Sequence, residues 1–148
     1  MKIFNKTGNW ENKVNFVDEN NVVLGYDMEQ CCCEDAGWFI SDNEETTTVS
    51  SLPNSDNGAP TLLIDEDNVA TVDLSNYIFC PDYFVDIQDT LEKNERGETI
   101  LENGGFVRFK ITDGKNVKYI HLYNIHNGYY SHGFLLEVNG EKIVKDWL

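Results

Sequence analysis

The chain has 148 residues, 41% of them hydrophobic and 12% aromatic, and sets 26 Asp and Glu against 11 Lys and Arg for a net charge of −15. This suits one folded domain over 1–148 that buries a core without disulfides or a metal, and no apolar run is long enough for a membrane-spanning helix. The charge excludes phosphate backbones and anionic membranes as direct partners, because the field repels both.

The acidity is uneven. Residues 1–100 carry 5 basic and 21 acidic side chains, net −16, while the remainder carries 6 and 5, net +1. Between Val14 and Glu92 there are 18 carboxylates and no Lys or Arg. The polar start, Met1 to Lys6, has none of the apolar character of a secretory signal, so the reading is a cytoplasmic protein with reduced thiols.

In chain order the signal is mostly β. Lys13 to Val17 alternates, Asp18-Glu19-Asn20-Asn21 supplies turn residues, and Val22 to Tyr26 runs back, which reads as a hairpin. Asp27 opens a stretch over 27–40 that predicts a short helix near the cysteines, limited by Gly37. Residues 41–60 read as an exposed loop with a short strand at 46–51. Thr61 to Ile64 and Val69 to Val72 are short apolar segments around Asp65-Glu66-Asp67-Asn68. Tyr77 to Cys80 meets Pro81, which biases Cys80 away from helix, and Tyr83 to Ile87 resumes the apolar pattern. Asp89 to Glu102 is charged and turn-like.

The last third is clearest. Phe106 to Thr112 sets Val107, Phe109 and Ile111 on one face and Arg108 and Lys110 on the other. Asp113 to Asn116 is a turn, Val117 to Ile125 a second strand and Gly133 to Val138 a third. Asn139-Gly140 is a two-residue hairpin signal before Glu141 to Val144. The predicted architecture is α+β, mainly antiparallel β: an acidic part over 14–100, a C-terminal four-strand meander over 105–145, and one short helix. The expected core is Phe16, Val23, Phe79, Phe84, Val107, Phe109, Ile111, Ile120, Leu122, Phe134, Leu136 and Trp147.

Cys31-Cys32-Cys33 and Cys80 contain no C-x-x-C pair, so zinc is disfavoured and the thiols read as small buried hydrophobes among carboxylates that oppose thiolate formation. Counting from Asp65 as a calcium loop puts Ala70 where glycine is needed and Asn76 where glutamate is needed, so the EF-hand reading fails. No metal site, cofactor motif or catalytic residue is expected. His121, His126 and His132 lie close together around Asn127, Tyr129, Tyr130 and Ser131, a set able to line a small pocket or to form a wide turn. On the strand, His121 shares a face with Tyr119 and Tyr123, and Ile120 and Leu122 take the other.

Glu29-Gln30-Cys31-Cys32 and the later Asn127-Gly128-Tyr129-Tyr130-Ser131 resemble an uncharacterised bacterial and phage domain family. That family has an early glutamine-aspartate-cysteine-cysteine-type element and a late asparagine-glycine-tyrosine-tyrosine-serine element. By element order the resemblance spans roughly residues 20–138, and this chain departs from it with a third cysteine and a long acidic stretch. It implies a prokaryotic or viral origin, no known activity, and proximity of the two motifs, which adds Cys31 and Cys32 to the candidate binding residues. Two functions follow. One is a non-enzymatic interaction or inhibitor protein that presents Asp42, Glu44, Glu45, Asp65, Glu66 and Asp67 to a basic partner. The other is a small-molecule binding domain, or a minor enzyme, built on the 121–132 cluster.

Overall fold

A computed structural model describes residues 1–8, 11–29, 35–42, 44, 63–65, 69–86, 104–125 and 131–148. Among the described residues, ten strands form two five-stranded antiparallel sheets. Sheet A contains β1 (Lys2–Gly8), β2 (Glu11–Val17), β3 (Val22–Asp27), β9 (Gly133–Val138) and β10 (Glu141–Trp147), in spatial order 1-2-3-9-10. Sheet B contains β4 (Asp35–Ser41), β5 (Leu63–Ile64), β6 (Ile78–Asp86), β7 (Gly104–Thr112) and β8 (Val117–Ile125), in order 5-4-8-7-6.

The inner faces pack into one core. In sheet A the row Ile3, Phe16, Leu24, Leu136, Val144 runs across all five strands. In sheet B the row Ile40, Ile120, Phe109, Phe84 does the same for four. Phe16 meets Trp38 edge-on with centroids 5.1 Å apart, and Phe134 meets Phe109 at 5.9 Å, so aromatic rings join the layers. Asp18 adds a polar link between the sheets. Its Oδ1 accepts from the backbone N–H of Asn20 and Val22, and its Oδ2 accepts from Phe79 N–H at 2.9 Å. A carboxylate that is only 6% exposed is thereby satisfied by three donors.

Local turn chemistry sets the hairpins. Asn21 takes φ 59° between β2 and β3, and Asn139 (φ 52°) with Gly140 (φ 82°) closes β9–β10 as two consecutive left-handed residues require. Asp113 Oδ1 accepts from Lys115 and Asn116 N–H, and Asn116 first, then Lys115, hold its carboxyl down at about 2.

Several expectations need correction. The mainly β reading stands, but α+β overstates helix: among the described residues the helical content is one 3-10 turn at Val69–Thr71. Of the span read as a short helix before Gly37, Asp27 ends β3 and Asp35 and Ala36 begin β4, while 30–34 lie outside the described residues. Both faces of β4 are buried, so its sequence shows no strand alternation. The four-strand meander is two hairpins in different sheets: β7–β8 lies in sheet B and β9–β10 in sheet A. Val23 yields its core place to Val22, because a one-residue offset exchanges the faces of a strand. Trp147 is 61% exposed and lies over Gly133, while Leu148 turns inward. β1 was not anticipated. The predicted strand at 46–51 and the charged segment after Asp89 lie outside the described residues.

Candidate functional site

The outer face of sheet B carries a second buried layer. Hairpin β7–β8 pairs Arg108 with His121, and β4 adds Phe39 on the far side of His121, so Phe39, His121 and Arg108 form one row across three strands. The His121 ring is fully buried and nearly parallel to Phe39 at 4.5 Å and Phe106 at 5.4 Å, which are themselves 6.0 Å apart, so the three rings form one cluster. Its Nε2 lies 3.0 Å from Ser41 Oγ. Burial first and the Arg108 charge second push the ring down to about 3, so it is neutral near pH 7. Beside it, the Tyr123 side chain lies across Gly37, where a Cβ would stand 2.6 Å from the Tyr123 hydroxyl.

Arg108 is 7% exposed. Its Nε–H donates to Tyr83 Oη at 3.0 Å, and Tyr83 Oη donates to Glu44 at 2.8 Å. Tyr119 donates to the other Glu44 oxygen at 3.2 Å, and the Arg108 guanidinium lies 5.7 Å from the Tyr119 ring centroid. Tyr83 above all, with Tyr119 next, holds the Glu44 carboxyl below its usual range, whereas burial raises both phenols. The tyrosines therefore stay protonated and donate. Among the described residues, nothing hydrogen-bonds to the buried Arg108 Nη1 or His121 Nδ1.

The residues singled out from the sequence are not gathered in one place. His121 belongs to this outer layer. His132 is also buried, but lies against Tyr26 with Nδ1 2.8 Å from the Asp27 carbonyl. Ser131 is exposed. His126, Asn127, Tyr129, Tyr130, Cys31, Cys32, Glu45, Glu66 and Asp67 lie outside the described residues. Of the acidic set, Asp42 pairs with Lys118, Glu44 belongs to the tyrosine–arginine network, and Asp65 is half-buried.

Sequence reasoning missed Phe39, Ser41, Tyr83 and Arg108 as members of this layer. The signal for Arg108 was available: the Asp113–Asn116 turn fixes the register that sets it opposite His121. A separate groove of about 390 Å³ beside Met1, Phe4 and Val17 contains none of the predicted residues. Among the described residues no group of three or more His, Cys, Asp or Glu could hold a metal, and no helix is long and apolar enough to cross a membrane. Neither a protein-family model, nor a curated protein, nor a solved structure matches the chain.

Proposed function

We propose that this protein is a non-enzymatic binding module that engages a cationic protein surface through its surplus of carboxylates. The observation that supports this most is arithmetic. Were every one of the 11 basic side chains paired with a carboxylate, 15 of the 26 carboxylates would still lack a cation. Internal pairing cannot abolish such a field, and a basic partner approaching it gains in encounter rate.

The described cations divide between the sheets, with Arg108, Lys110, Lys115 and Lys118 on hairpin β7–β8 of sheet B. Lys2, Lys6, Lys13, Lys142 and Lys145 occupy the outer face of sheet A, by register and alternation, and make up five of the eleven. Exposed carboxylates on β6, Asp82 and Asp86, lie at the open edge of sheet B instead.

Affinity capture from host lysate at low ionic strength, eluted with a salt gradient and identified by mass spectrometry, tests this reading. The expected partner is basic and elutes well before molar salt, since screening shortens the field from about 10 Å at 0.1 M to about 3 Å at 1 M. Asp82→Lys combined with Glu29→Lys shifts elution to lower salt. A partner retained in molar salt, or insensitive to both charge reversals, overturns the reading.

A further inference from the structure

We propose that β1, the outer strand of sheet A, pairs with an extended segment of another protein that sets carboxylates at alternate positions around an apolar side chain. Among the described residues the two sheets end in four strands, β1 and β10 in sheet A and β5 and β6 in sheet B. Three of them carry features that oppose further pairing. β5 has two residues, β6 contains Pro81 and loses register with β7 between Phe79 and Phe84, and β10 shifts register between Lys142 and Val144. β1 has none of these: its seven residues from Lys2 to Gly8 keep an unbroken register with β2. Alternate backbone N–H and C=O groups of such an edge point away from its neighbour and can take another strand.

The side chains of β1 select the segment. Lys2, Phe4 and Lys6 lie on the outer face of sheet A and are all exposed, Phe4 at 53%. An added strand places its own side chains opposite these three, so carboxylates meet the lysines and an apolar group meets Phe4. Lys6 also lies opposite Lys13 in the β1–β2 register, a like-charge pair that a carboxylate on the new strand would offset. There is room for the apolar group: the groove of about 390 Å³ beside Met1, Lys2, Phe4 and Val17 opens at this strand.

A second copy of this chain fits the edge less well. Antiparallel pairing of β1 with itself about Phe4 would set Lys2 against Lys6 twice, and each molecule carries a net charge of −15. A basic segment would meet the same repulsion from the lysines. Charged edge residues of this kind close a strand to its own copies and leave it open to a strand of opposite charge. This surface is independent of the cationic-partner reading, because it uses lysines of sheet A and not the surplus carboxylates.

The test adds capped peptides to the full chain and reads β1 amide shifts and hydrogen-exchange protection by NMR. The probe carries glutamates on either side of a valine at alternate positions. A second peptide has lysines in place of the glutamates, and a third has prolines at the intervening positions, which removes backbone donors. The expected result is saturable binding of the glutamate peptide with new protection at alternate β1 amides, and no saturable binding of the other two. Lys2→Glu combined with Lys6→Glu weakens the probe about tenfold, since two attractive cross-strand pairs become repulsive. Lys142→Glu combined with Lys145→Glu, on β10, leaves its affinity unchanged. Equal binding of the lysine or proline peptide, a response centred on β10, or no protection at β1 overturns the proposal. A concentration-dependent dimer whose β1 amides are protected without peptide also overturns it, because the edge would then belong to a second copy. Should the charge variants fail to fold, the three peptides on the wild-type protein decide it.

Discussion

The two sheets have alike inner faces and opposite outer ones. On sheet A, one outer row reads Lys2, Val17, Val23, Glu137, Lys142 and the next Phe4, Asn15, Gly25, Leu135, Lys145. Phe4 and Trp147 are 53% and 61% exposed there. On sheet B the corresponding rows are Phe39–His121–Arg108 and Gly37–Tyr123–Phe106, and all but Gly37 are buried. A sheet with one wet face can place polar groups there at no cost in desolvation. A sheet buried on both sides has to find partners for every polar group it carries. The tyrosine–glutamate–arginine chain and the serine–histidine contact answer that demand on sheet B, whereas the Lys13–Asp27 pair on the outer face of sheet A, at 3.9 Å, is open to solvent.

The sharpest way to break this contrast is to truncate one aromatic on each outer face. Phe39→Ala removes the ring that stacks on His121 and is expected to cost about 3–5 kcal/mol by chemical denaturation. The same change at Phe4 is the control; equal losses would mean that the two faces do not differ. A smaller effect is read from pH. The folded ring titrates at about 3 against an ordinary 6.5, so the unfolded chain binds the extra proton between these values. Stability from this group is full above pH 6.5 and falls as pH drops towards 3, with a slope of at most about 1.4 kcal/mol per pH unit. Denaturation midpoints of wild type and His121→Gln, followed from pH 7 to 4, should converge as the pH falls; parallel curves would refute a buried neutral imidazole. The smallest effect is expected at Trp147→Ser, within about 0.5 kcal/mol, because an exposed residue on sheet A has little burial to lose.

What could be read from the sequence follows the same division. The hairpins at Asn21, Asp113–Asn116 and Asn139-Gly140 were legible because their geometry is dictated by adjacent residues. The face shared by Tyr119, His121 and Tyr123 was legible because strand alternation holds whatever covers the sheet. β4 was not, since Ala36, Trp38, Phe39, Ile40 and Ser41 are all buried and no polar period marks the strand. The division of four C-terminal strands between two sheets was equally hidden. Short turns encode pairing within a hairpin but not which sheet the next hairpin joins. At the site, Ser41 and Tyr83 come from β4 and β6, whose distance in sequence from β8 carries no local signal.

The placement of β9 has a consequence for biosynthesis. Sheet A is finished only when Val22 pairs with Val138, and until then one edge of β3 has no backbone partner. At roughly 10 residues per second, the ribosome takes on the order of ten seconds to deliver that partner after β3 has been made. For that interval the nascent β1–β3 ribbon exposes Phe16, Leu24 and an open strand edge, the features that invite mispairing between neighbouring chains.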